Sequence, residues 1–172
     1  GAGGGAGTFA IQLAKLAGAE VTGVDNAEKL ELMRSLGADH VIDYNKEDFT
    51  KNGKQYDLIL DVIANRSVFT YQRALKPNGS YFMAGGSVAT IFQMLLLGSL
   101  IRRITSKSIK LLLVQTDSKD LVYITELIES GKIKLVIDKQ YSFNETAEAL
   151  RYLGEGHAKG KIVITVQPDN KS

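Results

Sequence analysis

The chain opens on Gly1-Ala2-Gly3-Gly4-Gly5-Ala6-Gly7 and runs straight into Thr8-Phe9-Ala10-Ile11-Gln12-Leu13-Ala14-Lys15. Five glycines in seven residues cannot form a stable helix or strand, because glycine has the most backbone freedom to lose. The stretch behind them has helical spacing. Phe9, Leu13 and Leu16 fall at i, i+4 and i+7 as an apolar face, with Thr8, Gln12 and Lys15 on another. A glycine turn opening a helix is a cradle for phosphate: bare backbone lets an anion approach, and the helix's N–H groups and dipole attract it. Two registers fit the G-x-G-x-x-G pattern, Ala2-x-Gly4-x-x-Gly7 and Gly1-x-Gly3-x-x-Ala6, and the first suits the helix start better. The stretch reads as a dinucleotide site whose preceding strand is absent from the sequence. A flexible linker is the competing reading.

The rest of the chain weighs against a linker. Glu20 to Asp25 reads as a short strand ending in an acid, and Asn26 is a candidate cap for a second helix that Gly37 stops. His40 to Tyr44 is a strand position. Tyr56 to Ile63 is a near-continuous apolar run, the pattern of a parallel strand covered on both faces. Ser67 to Leu75 reads as a helix, Lys76-Pro77-Asn78-Gly79 as a turn, and Ser80 to Ala84 as a strand closed by Gly85-Gly86. An apolar helix to about Arg103 precedes a strand from Ile109 to Val114, and an amphipathic helix spans Asp117 to Ser130. Beyond Gly131 come a short strand at Leu135-Val136-Ile137, a helix from Asn144 to Leu153 capped by Ser142 or Asn144, a strand from Lys161 to Val166, and a tail from Pro168 to Ser172 that reads as frayed. Alternating helices and strands predict an α/β protein with a doubly wound parallel sheet.

Bulk properties narrow the function. With 21 basic and 19 acidic residues the formal charge is +2, and no basic stripe stands out, so nucleic acid is not an expected partner. Two histidines and no cysteine leave no metal-ligand cluster to build from motif spacing. The absence of cysteine fits a cytoplasmic setting. The apolar run Ile91 to Ile101 is shorter than the roughly 20 residues a membrane span needs, so no membrane association is expected.

The candidate chemistry lies at strand ends. Asp25, 21 residues beyond Gly4, can accept hydrogen bonds from a ribose diol and repels a 2′-phosphate, which favours NAD; Lys29 can do the opposite. The loops after Val62 and Ala84 lie at carboxyl ends of strands, where open α/β sheets bind ligands, and Gly85 and Gly86 would let a flat ring approach the backbone. Tyr44 is either a surface residue at a strand end or a stacking partner for adenosine.

Together these stretches resemble the medium-chain dehydrogenase/reductase superfamily, in its quinone oxidoreductase-like, zinc-independent branch. The likeness rests on Gly1 to Lys15, Leu36-Gly37-Ala38-Asp39-His40-Val41-Ile42-Asp43-Tyr44, Tyr56 to Asp61, Ala74 to Gly79, Ser130-Gly131-Lys132-Ile133 and Glu155-Gly156-His157-Ala158-Lys159-Gly160-Lys161-Ile162-Val163. The resemblance implies a Rossmann-type cofactor domain with pyrophosphate at the turn of Ala2, Gly4, Gly5, Ala6 and Gly7. Asp25, Asn26, Lys29 and Tyr44 would lie at the adenosine end, and Val62, Ile63, Ala64, Gly85 and Gly86 at the nicotinamide end. Lys29 and Tyr44 match NADP-using members and Asp25 matches NAD-using ones, so the balance favours NADP(H) by two positions to one, with NAD(H) the alternative and no metal expected.

By the same analogy residues 1–130 are a nucleotide domain lacking its first strand. Residues 131–172 are the closing piece of a GroES-like catalytic domain that contains the catalytic groups. The implied activity is hydride transfer to or from a quinone, enone or other carbonyl, in a full-length homodimer paired through an edge strand. The chain by itself is expected to be inactive. The alternatives are a methyltransferase-like domain using S-adenosylmethionine, which shares a glycine turn and an acid after the second strand, and a non-catalytic nucleotide-binding module.

Overall fold

A computed structural model of the chain describes residues 1–86, 88, 91–94, 96, 104–113 and 117–166. The chain packs as two compact units. One takes Gly1 and Asp43–Asp117; the other takes Ala2–Ile42 and the residues from Ser118 onward. The expected 130/131 domain boundary falls inside the second of these.

In the unit that holds the glycine turn, α1 (Gly7–Leu16) follows directly on it. β1 (Thr22–Asp25) then leads through a 3-10 turn at Ala27–Lys29 into α2 (Leu30–Ser35) and β2 (His40–Asp43), which pairs with β1. Ile11, Met33, Leu36 and Ala38 are buried together, with Val21, Val41 and Val136 against them. The buried face of α1 is not the apolar one predicted. Thr8, Ile11 and Gln12 are buried while Leu16 is 50% exposed. A polar side chain can be buried where its hydrogen bonds are met. Gln12 meets them by donating to the Lys134 carbonyl at 3.0 Å and accepting the Lys134 N–H at 2.7 Å.

The same unit holds α4 (Ser118–Glu129), β6 (Ile137–Ser142), a 3-10 turn at Phe143–Glu145, α5 (Thr146–Gly154) and β7 (Lys161–Thr165). β6 and β7 are parallel, from Ile137 opposite Lys161 to Ser142 opposite Thr165, and α5 is their crossover. β6 starts at the end of the predicted Leu135–Ile137 strand, just past Val136, whose carbonyl accepts the N–H of Lys161 at the head of β7 at 2.8 Å. Ser142 is the cap: its N–H and hydroxyl both donate to the Glu145 carboxylate, at 2.8 and 2.7 Å.

The other unit is built on β3 (Tyr56–Asp61), α3 (Val68–Ala74), β4 (Leu75–Met83) and β5 (Ser108–Leu111). The strands are parallel in the order β3-β4-β5. Lys76-Pro77-Asn78-Gly79 lies inside β4 as a bulge. Tyr56 faces Leu75 but Leu58 faces Ser80, and the surplus residues are taken up with Asn78 at φ 63°. Ile59, Val68, Tyr71, Leu75, Tyr81, Met83, Met94 and Ile109 form one buried cluster, and the Tyr71 and Tyr81 rings stack with centroids 4.4 Å apart. The prediction that β3 is covered on both faces fails. Ile59 points into the cluster, whereas Leu58 and Leu60 on the opposite face are 59% and 43% exposed. A strand shows its neighbours two faces, and here α3 and the helical residues 91–94 cover one of them.

The predicted strand to Val114 ends at Leu111, and Val114 itself, most of the run from Ile91 to Ile101 and the tail Pro168 to Ser172 lie outside the described residues. Among the described residues no helix is long and apolar enough to cross a membrane.

Candidate functional site

The glycine turn is a braced loop. Ala2 lies beside β1 and donates its N–H to the Val24 carbonyl at 3.1 Å, and Gly3 donates to the Asp25 carboxylate at 2.8 Å. The chain then doubles back so tightly that a Cβ on Gly7 would lie 2.4 Å from Ala2 backbone atoms, which makes glycine obligatory where the turn closes onto α1. Thr8 donates to the Gly4 carbonyl at 3.0 Å, which starts the helix, and Gly4 forms a parallel bridge with Gly160 at the entry to β7. Gly5 and Ala6 form the outer side of the loop at the positive pole of α1.

Asp25 ends β1 and is 4% exposed. Its second oxygen accepts the Asn26 N–H at 2.9 Å, so both oxygens hold backbone, one on each side of the site. Lys29, one helical turn on and also 4% exposed, brings its Nζ within 3.7 Å of Asp25 and donates to the Gly156 carbonyl at 3.0 Å. Asp25 and Lys29 thus form an i, i+4 acid–base pair, and it is buried. Lys29 is turned into the protein and Asp25 serves as the strut of the turn. Asn26 occupies the predicted cap position without making the cap bond, and its Oδ1 is buried with no hydrogen-bond partner. A buried acceptor beside the strand-end acid, next to a bare phosphate cradle, fits the hydroxyls of a nucleotide ribose.

The other unit carries the second set of predicted residues. Asp61 ends β3 as Asp25 ends β1. Its Oδ1 accepts the N–H groups of Ile63 and Ala64 at 3.0 and 2.8 Å, and its Oδ2 accepts the Tyr81 hydroxyl at 3.1 Å. The chain folds back at once, leaving Ala64 at φ 40° and 1% exposed. Gly85 and Gly86 are the reason the next loop fits. A Cβ on Gly85 would lie 2.7 Å from the Val62 carbonyl oxygen, and one on Gly86 2.8 Å from the Ala64 Cβ. The bare faces of these glycines are therefore filled by Val62 and Ala64 of the neighbouring loop. Arg66 secures the far side by pairing with Asp48, lying over the Phe49 ring and donating its N–H to the Tyr71 hydroxyl at 3.2 Å. Burial pushes the Asp48 carboxyl up, but hydrogen bonds from Thr50 and the Arg66 guanidinium outweigh it and hold it at about 2. Burial, and then the charge of Asp61, push both Tyr71 and Tyr81 well above the usual phenol range, so both stay neutral donors.

The structure thus brings Ala2, Gly4, Gly5, Ala6, Gly7, Asp25, Asn26 and Lys29 together in one unit, and Val62, Ile63, Ala64, Gly85 and Gly86 in the other. Tyr44 sits on the turn after β2 with its ring 49% exposed. Sequence reasoning did not pick out Asp61, Tyr71 or Tyr81 as the frame of the Val62–Ala64 loop, nor Gln12 and Lys161 at the turn. No local pattern marks such long-range partners. Among the described residues no group of three or more His, Cys, Asp or Glu is placed to hold a metal ion.

Comparison with known proteins places this geometry. The family described as zinc-binding dehydrogenase matches residues 36–164. The chloroplastic quinone-oxidoreductase QR1 of Triphysaria versicolor is 36% identical over 173 residues, covering 95% of this chain and 50% of that protein. The mitochondrial NAD(P)H oxidoreductase RTN4IP1 of Bos taurus is 36% identical over 189 residues, covering 96% and 46%. The structure of the quinone oxidoreductase from Coxiella burnetii superposes with a TM-score of 0.82 at 25% identity, over 96% of this chain and 51% of that one. The chain spans about half the length of the curated relatives it matches. The α/β architecture with parallel ladders is the Rossmann-like arrangement expected, and the family match and these oxidoreductase relatives weigh against the methyltransferase alternative. The chain belongs to the zinc-binding dehydrogenases, and through them to the medium-chain dehydrogenase/reductase superfamily.

Proposed function

We propose that this chain is the cofactor-holding part of an NAD(P)H-dependent oxidoreductase that moves a hydride between nicotinamide and a quinone, enone or other carbonyl compound. The observation that carries the reading is the glycine turn held by Asp25 at the start of α1, with the orphan Asn26 Oδ1 beside it. Similarity to quinone oxidoreductases supports the substrate class. In this reading residues 1–130 are a nucleotide domain without its first strand, and 131–172 close a GroES-like catalytic domain.

Bound nicotinamide would supply the hydride chemistry. The chain's own residues would do the holding: the turn from Ala2 to Gly7 takes the pyrophosphate, Asp25 and Asn26 accept from the ribose, and the Val62–Ala64 loop, held by Asp61, backs the reactive ring. We assign the preference to NADPH on the balance of Lys29 and Tyr44 against Asp25. NADPH entry then requires Lys29 to leave the Gly156 carbonyl and turn to the 2′-phosphate. In the full-length protein we also assign a homodimer through β5, the end strand of its ladder, beyond which Leu113 is 78% exposed.

Parallel titration of the full-length protein with NADH and NADPH tests the cofactor reading. NADPH should bind more tightly, and Lys29→Ala should remove the difference. Tighter NADH binding by the wild type overturns the NADPH preference, and binding of neither overturns the cofactor reading. Nucleotide binding without turnover of any quinone or enone returns the non-catalytic module. A monomer at micromolar concentration by light scattering overturns the dimer.

A further inference from the structure

The sequence contains the dipeptide Asn-Gly at Asn52-Gly53 and at Asn78-Gly79, and the fold treats the two in opposite ways. Asn78-Gly79 lies in the β4 bulge. Gly79 is buried, and a Cβ there would lie 2.9 Å from the Lys76 carbonyl oxygen and 3.0 Å from the Tyr56 carbonyl oxygen. Backbone on both sides leaves this peptide no room to turn. Asn52-Gly53 lies in the loop before β3. Gly53 is exposed at φ +79°, and nothing comes within 4 Å of where its Cβ would sit. Among the described residues no acceptor holds its N–H.

The Asn52 side chain, by contrast, is held. The Lys54 N–H donates to its Oδ1 at 3.0 Å, and its Nδ2 donates to the Glu47 carboxylate at 2.8 Å. The first bond closes an Asx turn, which folds the side-chain amide over the Gly53 peptide. It also puts a donor on the oxygen that gains negative charge when a nucleophile adds to the amide carbon. The loop is braced just upstream. Asp48 accepts the Thr50 N–H and hydroxyl at 3.0 and 2.6 Å, and the Lys51 N–H donates to the Asp48 carbonyl at 2.9 Å. The free Gly53 nitrogen and the Asn52 Cγ are then one bond short of a five-membered ring.

We propose that Asn52 is a site of spontaneous deamidation to aspartate and isoaspartate, and that the fold shields Asn78 from the same reaction. The Gly53 nitrogen bonds to the Asn52 Cγ, the Cγ–Nδ2 bond breaks, and the Gly53 hydrogen leaves with the amide nitrogen as ammonia. Water then opens the succinimide at either carbonyl. Each converted chain loses one unit from its formal charge of +2 and sets a second carboxylate against Glu47. Asn52 lies in the unit built on β3, β4 and β5, and its chemistry is independent of the cofactor.

The test incubates the full-length protein at mildly alkaline pH, where base removes the Gly53 proton, both folded and in urea. Mass spectrometry follows the peptides holding Asn52 and Asn78, and isoelectric focusing follows the charge. In the folded protein Asn52 should convert about tenfold or more faster than Asn78, because Asn78 must first be freed by an opening of β4. In urea the two rates should converge. Asn52→Gln should remove the more acidic band, and Gly53→Ala should slow its appearance by crowding the attacking nitrogen. Equal rates at the two sites in the folded protein overturn the proposal. So does an Asn52 that stays intact in the folded protein while the unfolded chain converts, or an acidic band that persists in Asn52→Gln.

Discussion

Two aspartates end two parallel-type strands, and they are put to contrasting uses. Asp25, at the end of β1, braces a glycine turn and shares its charge with a buried lysine. Asp61, at the end of β3, braces an alanine turn and faces two buried phenols, with no ion pair among the described residues. The first is an exchangeable electrostatic arrangement, since a ligand phosphate can compete for Lys29. The second is held by hydrogen bonds from neutral donors, which a charged ligand does not disturb. The contrast fits the two ends of the proposed cofactor, one polyanionic and one a flat, uncharged-to-monocationic ring.

The largest expected effect breaks the first arrangement. Asp25→Ala frees two backbone donors and strands a buried ammonium, so it should cost about 3–5 kcal/mol in urea unfolding. Asp25→Ala with Lys29→Met should recover a good part of that, because the stranded charge is gone. A double variant no more stable than the single one would show that the strut, not the pair, matters. The next effect is at Asp61. Asp61→Ala should cost about 2–3 kcal/mol and Tyr81→Phe about 1 kcal/mol, each read by the same unfolding curves. Unlike the Asp25 pair, these losses should not change with added salt, and a salt-dependent loss would erase the contrast.

The smallest effect is a pH dependence behind the Val62–Ala64 loop. Asp48 is held at about 2 in the folded chain against an ordinary value of 3.8. Its contribution to stability is therefore complete above the ordinary value and fades as pH falls from there toward about 2. Asp48→Asn should remove that slope. An unchanged slope in the variant would move the acid sensitivity to other carboxylates.

How far this molecule could be read in advance depends on the range of the interactions. The glycine turn, α1, Asp25 and the alternation of helices and strands were legible because each leaves a local pattern of turn residues or spacing. The buried face of α1 was misread because Gln12 is burial-prone only in the company of Lys134, whose backbone it matches from 122 residues away. The turn read at Lys76–Gly79 is instead part of β4, because pairing with β3 takes both its flanks into one strand with a bulge. Lys161 carries no signal of its own. Its place follows from a glycine bridge to residue 4, which only the assembled unit shows. Apolar periodicity also said nothing about which face of β3 would find a cover.

The stacked pair Tyr71 and Tyr81 has an optical consequence. The sequence holds seven tyrosines, six phenylalanines and no tryptophan, so its near-ultraviolet absorption and emission come mainly from phenols. Burial and the Asp61 charge hold the protons of the two stacked rings well above the usual phenol range, and since the unfolded chain gives them up at an ordinary pH, rising alkalinity pulls the fold apart through them. An alkaline absorbance titration therefore watches the frame of the Val62–Ala64 loop let go, using a chromophore the protein already carries.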